Sequence, residues 1–291
     1  MTPKIIKNCC YPADSSFFVK FAKIMGIENA IVNRVRLLVG SEAMQRLEEA
    51  RVIIFGVGGV GSWCAESLVR SGVRNLTIVD SDRVCITNIN RQLMATTKTI
   101  GEVKVEALKR HLLEVNPAAD IDARQEIFDE ATASSFDLES YDYIIDCIDS
   151  LKDKALLILM ATKTKSRFYS SMGAALKVDP TQIRVAEFWK IDGCPLARLL
   201  RKRFKRNKLF PARKFKCVYS PEVLPNLGSE TNCGTDHCLC PKVKSAEGKP
   251  ELSDHEWCSS KAQINGSMMH ITAIFGLTLG GLVIEDIIGE R

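Results

Sequence analysis

Residues 56–62 read GVGGVGS, with Gly56, Gly58 and Gly61 in G-x-G-x-x-G spacing. Such a run lets the backbone turn tightly and approach a phosphate, while the helix that starts behind it offers unpaired N–H groups and the positive end of its dipole. Asp80 follows about 20 residues on, where a carboxylate accepts from ribose hydroxyls. The next stretch, SDRVCITNINRQ over 81–92, is dense in hydrogen-bonding side chains; Lys104 comes shortly after, and DCIDS over 146–150 closes another apolar run. Asp80, Asn88, Arg91, Lys104 and Asp149 thus supply two cations suited to a triphosphate and a carboxylate suited to a Mg²⁺ that keeps most of its waters. An NAD-dependent dehydrogenase shares the glycine fingerprint but has no need of that phosphate clamp. Singly, each residue has a plainer use: Arg91 a surface ion pair, Lys104 a solvated helix position, Asp146 a cap or a partner of backbone N–H groups. The combination points to a nucleotide.

For these groups to meet, they must stand at the ends of neighbouring strands. RVIIF (51–55) is a buried strand, 62–71 a helix stopped by Gly72, and NLTIVD (75–80) a second strand. This is the βαβ unit of a parallel sheet. A helix over 34–49 leads into it. Residues 102–115 carry Val103, Val105, Leu108, Leu112 and Val115 at helical spacing, ended by Asn116-Pro117. Strands at 121–126 and 143–147, a helix over 152–165, and strands at 167–171 and 182–188 continue the alternation. The predicted fold is α/β and Rossmann-like, a mostly parallel sheet with helices on both faces and a basic, cysteine-containing crossover insertion. The chain divides into an N-terminal extension (1–32), a nucleotide-binding core (33–189), the crossover or insertion (190–260), and a C-terminal helix that returns to the core (261–291).

From Asp80 the chain reads D-x-D-x-V-x-x-x-N-x-N-R-Q, then Lys thirteen residues after the Arg, then D-x-x-D-S after an apolar strand. Over residues 33–190 this resembles the adenylating domain of the ubiquitin-activating-enzyme superfamily, which includes the ThiF, MoeB and HesA proteins. The resemblance implies that Asp80 binds ribose, that Asn88, Arg91 and the adjoining Gln92 contact ATP, that Lys104 holds phosphate and that Asp149 coordinates Mg²⁺. It also implies a homodimer with shared sites. NRVRLLVG (33–40) is similar to the segment that donates an arginine to the partner subunit's ATP; Arg34 falls at that position, with Arg36 a close competitor. Further strings, among them KVDPTQIRVAEF (177–188), CPLARLLRKRF (194–204) and CVYSPE (217–222), are similar to the tRNA threonylcarbamoyladenosine dehydratase family. That family uses ATP to activate the free carboxylate of the threonylcarbamoyl group on a tRNA adenosine, and the same side chain then closes a ring with net loss of water. Two other readings stay open. One is an enzyme that adenylates the C-terminus of a ubiquitin-like or sulfur-carrier protein; the other is a non-catalytic nucleotide-binding adaptor, against which the intact Arg91, Lys104 and Asp149 argue.

Charge and cysteine usage bear on partners. The 291 residues carry a net charge of +5, which permits a polyanionic partner without requiring one. From 198 to 216 there are ten Lys or Arg and no acid, with Phe204, Phe210 and Phe215 interleaved. Cations there can contact RNA phosphates and rings can stack on splayed bases, so Arg198, Arg201, Lys202, Arg203, Lys205 and Arg206 are expected RNA contacts; a solvated helix face is the plainer alternative. Eleven scattered cysteines and no secretory signal fit reduced thiols in an intracellular compartment. Cys233, Cys238, Cys240 and Cys258, with His237 nearby, offer four zinc ligands, but C-x4-C-x-C is not the standard pair spacing and plain thiols fit as well. Residues 264–284 contain no Asp, Glu, Lys or Arg and have the length of a membrane span, yet the strongly apolar part is only 271–284, whose three glycines and threonines suit a buried core helix. The expected location is cytoplasmic, with mitochondrial or membrane-associated alternatives.

Overall fold

Alternation along the first strand decides which core each side chain enters. A computed structural model describes residues 26–228 and 265–289. In β1 (Arg51–Phe55), Val52 and Ile54 join one hydrophobic cluster while Ile53 and Phe55 join another, as period-two side chains must when both faces of a sheet are covered. β2 (Asn75–Val79), β3 (Asp120–Arg124), β4 (Tyr143–Asp146), β5 (Arg167–Ser171), β6 (Arg184–Glu187) and β7 (Lys216–Tyr219) complete a seven-stranded sheet of order β3-β2-β1-β4-β5-β7-β6. All neighbours are parallel except β6 and β7. The order reverses between β1 and β4, and a crevice outside the strand ends is expected at that switch point.

Helices α1 (Ile27–Ile31) and α2 (Asn33–Glu49) precede the sheet, and α2 is broken at Gly40, whose φ is 82°. α3 (Gly61–Arg70) and α4 (Lys104–Val115) cover one face; α5 (Leu151–Ala161) and α6 (Pro195–Asn207) cover the other. The apolar C-terminal run forms α7 (Met269–Gly289), which is long and apolar enough to cross a membrane by length and composition. Here half of that stretch is buried, chiefly on α3. Two glycines permit the approach. A Cβ on Gly276 would lie 2.3 Å from the Val60 carbonyl, and one on Gly280 would lie 2.9 Å from Ser67. Tyr143 Oη also donates to Asp286 Oδ2 at 3.0 Å, and Arg167 pairs with Asp286 at 3.2 Å. The core-helix alternative describes this packing.

The stretch that reads as an irregular crossover is more ordered than its composition indicates. Residues 195–207 form α6, opened by Pro195 at its first position, where the missing N–H costs nothing. Its Ala197, Leu200 and Phe204 are buried beneath the cations. β7 then inserts between β5 and β6, so this segment supplies an internal strand of the sheet. Six basic residues on α6 surround a three-residue apolar stripe, and a four-residue strand is too short to show alternation. Residues 1–25 of the expected extension, and His237, Cys233, Cys238, Cys240 and Cys258, lie outside the described residues.

Candidate nucleotide site and its basic flank

The three glycines of the turn are held for different reasons. Gly56 ends β1 with φ 84°, and a Cβ there would lie 2.8 Å from the Cys147 carbonyl beyond β4. A Cβ on Gly61 would stand 1.9 Å from the Gly56 carbonyl, so only glycine lets α3 start this close to the strand. Gly58 differs. Its nearest protein atom would be Gln92 Nε2 at 3.6 Å, an ordinary contact. Nothing within the described protein forbids a side chain at Gly58; a phosphate approaching the backbone would.

Around this turn the strand ends bring the expected residues together. Asp80 leaves β2 and its Oδ2 accepts the Val57 N–H at 2.8 Å, while its Oδ1 accepts the Asp82 N–H at 2.9 Å. The carboxylate therefore ties the glycine turn to the loop after β2. Lys104, buried at the start of α4, donates to Asp82 Oδ2 at 2.7 Å and stands 3.7 Å from Asp80 Oδ1. Burial works against its charge, but Asp80, Asp82 and Asp149 together outweigh it and hold the ammonium above the usual lysine range. Burial also pushes the Asp80 carboxyl upward, with Lys104 opposing. Asp149, exposed beyond β4, is thus close enough to Lys104 to be felt electrostatically.

The loop over 85–92 is self-supporting. Asn88 Oδ1 accepts the Cys85 N–H at 3.0 Å and caps a short 3-10 turn over Ile86–Asn88. Arg91 Nη1 donates to the Thr87 carbonyl and to Asn90 Oδ1, both at 2.9 Å, and the Arg91 stem lies against Gly59. Trp63 Nε1 donates to the Arg91 carbonyl at 3.0 Å, pinning this loop to α3. Gln92 is 6 % exposed, and its Oε1 is buried with no hydrogen-bond partner among the described residues. A buried amide oxygen without a donor is costly, and this one sits beside the open Gly58. An adenine nucleotide fits these features: donors and two cations for phosphates, carboxylates at two strand ends, and an acceptor lacking its donor.

Asp146 has a different role from its neighbour Asp149. Its Oδ2 accepts from Lys154 Nζ at 2.6 Å and Ser170 Oγ at 2.7 Å, and its Oδ1 accepts the Ile148 N–H at 3.0 Å. Asp146 and Lys154 are fully buried. The pair fixes the turn that carries Asp149.

Arg34 is not brought to this crevice within one chain. Val32, two residues before it, packs near Gly72 and Met44 at the far end of α3, about 15 Å from the glycine turn at ~1.5 Å per residue. Arg34 is exposed there beside Leu37 and Leu38, which are 79 % and 83 % exposed. Arg36 is engaged, donating to Asn29 Oδ1 at 3.1 Å. Among the described residues no group of three His, Cys, Asp or Glu is placed to hold a metal.

The basic flank is formed by α6. Arg198, Arg201, Lys202, Lys205 and Arg206 line one shallow groove, with Arg203 half-buried nearby. Arg201 also ties the helix to the segment that precedes it in the chain: its Nη1 donates to the carbonyls of Phe188 (3.1 Å) and Ile191 (2.9 Å). Sequence reasoning missed three supporting residues. Asp82 and Asn90 were visible as the second residues of D-x-D and N-x-N, but the pairing of Asp82 with Lys104 and the hydrogen bond that Asn90 donates to the Ser267 carbonyl at 2.9 Å were not; Trp63 was given no role.

The chain is 32% identical over 260 residues to the tRNA threonylcarbamoyladenosine dehydratase of Haemophilus influenzae, covering 86% of this chain and 90% of that one. Its fold is similar to crystal structures of the E. coli tRNA N6-threonylcarbamoyladenosine dehydratase in complex with ATP (TM-score 0.73, 27% identity) and with AMP (TM-score 0.72, 28% identity). Each covers 90% of this chain and 95% of its own. The ThiF family model matches residues 32–281, and the chain belongs to the ThiF family.

Proposed function

We propose that this protein is an ATP-dependent tRNA threonylcarbamoyladenosine dehydratase. The carboxylate of the threonylcarbamoyl group attacks the α-phosphorus of ATP, and the bond to pyrophosphate breaks. The acyl adenylate is then attacked within the same modified side chain; a ring closes and AMP leaves. The sum is loss of one water from the tRNA against conversion of ATP to AMP and pyrophosphate. The observation that carries this reading is the gathering of Lys104, Asp80, Asp82, Arg91 and the open Gly58 at the switch point of the sheet.

The chain's own groups do the following. Backbone N–H groups of the 56–62 turn and the start of α3 hold phosphate oxygens. Lys104 and Arg91 neutralise charge that grows on the leaving pyrophosphate, and because both are held in place before reaction, little reorganisation is needed. Asp80 receives the ribose hydroxyls on its remaining lone pairs. Asp149 would hold Mg²⁺ together with phosphate oxygens and waters; the ion supplies charge neutralisation on the phosphates. Arg34 acts on the ATP of a partner copy in a homodimer, since its own crevice lies a helix length away. The groove on α6 takes tRNA phosphates. Ring closure is intramolecular, so positioning replaces a protein nucleophile.

The test is product analysis. Purified protein with modified tRNA, ATP and Mg²⁺ should release AMP and pyrophosphate, and the tRNA nucleoside should lose the mass of one water. ADP and phosphate as products would refute the assignment. Asp149→Asn should abolish most turnover while the protein keeps its thermal midpoint.

A further inference from the structure

Three phenylalanines interleave the basic segment, and the structure separates them. Phe204 and Phe215 are core residues, 1 % and 5 % exposed. Phe210 is 52 % exposed and has a partner that the basic run does not contain, Trp189, which is 37 % exposed. Their ring centroids are 6.2 Å apart with planes tilted by 41°.

These two rings end an aromatic column that starts in the core. Phe168 meets Phe215 at 5.0 Å, Phe215 stacks on Phe188 at 5.0 Å with planes 16° apart, and Phe188 meets Trp189 edge-on at 5.2 Å. The exposed pair is therefore held on a rigid base, so little side-chain freedom is lost when a ligand lands on it. The charge around Phe210 is positive, while Glu187 and Asp192 are the acids that flank Trp189 along the chain. From residue 193 to 221 there is no acid, and the last turn of α6 carries Lys205 and Arg206, followed by Lys208. A fixed apolar pair rimmed by cations repels a basic partner and suits the alternation of a flat ring and a phosphate.

We propose that Trp189 and Phe210 are a stacking platform for an unpaired base of the bound tRNA, whose phosphates run along the α6 groove. The proposal rests on the RNA reading given above. The platform stands at the far end of the sheet from the nucleotide crevice. Leu196, at the start of α6, lies by Gly173 after β5, whereas Ala212 N–H donates to Thr162 at the far end of α5. The separation is about 20 Å, the length of the thirteen-residue α6. The stacked base is therefore not the adenosine under reaction but a nucleotide elsewhere on the tRNA, and the platform sets how the tRNA lies on the enzyme.

The test measures binding of the full chain to modified tRNA and to a blunt RNA duplex of similar length, at two salt concentrations. Trp189→Ala and Phe210→Ala should each weaken tRNA binding roughly 5- to 150-fold, the range seen when a base loses a stacking ring. Trp189→Phe should keep most of the affinity. The log–log salt slope should not change, since no cation is removed. Duplex binding and ATP affinity should match wild type. Phe210→Ala alters an exposed position and keeps the test valid if Trp189→Ala does not fold. Unchanged tRNA affinity in both alanine variants would overturn the platform and leave the patch as a protein-docking surface. An equal loss on tRNA and duplex would also overturn it, because the rings would then only brace α6. If wild type shows no salt-dependent tRNA binding, the RNA reading itself fails, which is a separate result.

Discussion

Two alanine substitutions in the glycine turn should have opposite consequences. At Gly61 a Cβ would sit 1.9 Å from a backbone carbonyl of the same turn, and neither atom can move without shifting β1 or α3. Overpacking of this kind costs about 1–3 kcal/mol, which lowers the thermal midpoint by several degrees. At Gly58 the nearest protein atom would be 3.6 Å away, at the end of a flexible side chain. Gly58→Ala should therefore fold as well as wild type; reduced freedom of the unfolded chain even favours it by about 0.4–1 kcal/mol. The cost falls on ATP. Losing one hydrogen bond from the turn to a charged phosphate oxygen removes about 1.5–3 kcal/mol, or roughly 10- to 150-fold in Kd. Thermal unfolding without nucleotide, paired with calorimetric titration of ATP, reads both quantities. A Gly58→Ala protein that binds ATP like wild type would refute the idea that this position is kept open for phosphate. One that is as unstable as Gly61→Ala would refute the steric reasoning.

Other outcomes follow from the buried and charged groups. Lys154→Met should destabilise by about 3–5 kcal/mol, because the Asp146 carboxylate is left buried without its partner; Asp146→Asn added to it should recover part of the loss in chemical denaturation. The Glu66 hydrogen bond raises the His111 pKa, while burial pushes the Glu66 carboxyl up but His111 and Arg70 outweigh it and hold it low. The His111 contribution to stability is thus full below its unfolded value of about 6.5 and fades as pH rises through the raised folded value, whereas that of Glu66 is present above about 4.3 and fades on acidification. The difference in thermal midpoint between wild type and His111→Gln should be larger near pH 6 than near pH 8.5, and a pH-independent difference would contradict it. Mixing inactive Arg34→Ala and Asp149→Asn proteins should restore about a quarter of wild-type activity, since half of randomly exchanged dimers carry one intact site; no recovery after confirmed subunit exchange would show that Arg34 does not act in trans.

Much of the fold was legible because its signals are local. β1 and β5 begin and end where the apolar runs do, and the ends of α3, α4 and α5 fall within four residues of those expected. The glycine turn, Asp80, Lys104 and Asp149 were legible as a site because the residues following each parallel strand share one edge of the sheet. β7 and α6 were not. Ala197, Leu200 and Phe204 do stand at helical spacing, but the stripe is narrow and set among six cations that read equally well as a ligand-binding run, and the place of β7 between β5 and β6 depends on non-local pairing.

The sequence by itself determined the nucleotide crevice, since a strand, a glycine turn and a helix form through neighbours along the chain and carry their polar residues with them. It did not determine which member of a residue type does what. Asp146 and Asp149 stand three residues apart in one motif, yet one is sealed with Lys154 and Ser170 while the other reaches solvent, because β4 turns one carboxylate into the core as the chain leaves the sheet. Phe204, Phe210 and Phe215 look alike in the basic run. Only the packing of α6 and β7 on the sheet buries two of them and sets the third beside Trp189, a contact between residues that the chain keeps far apart.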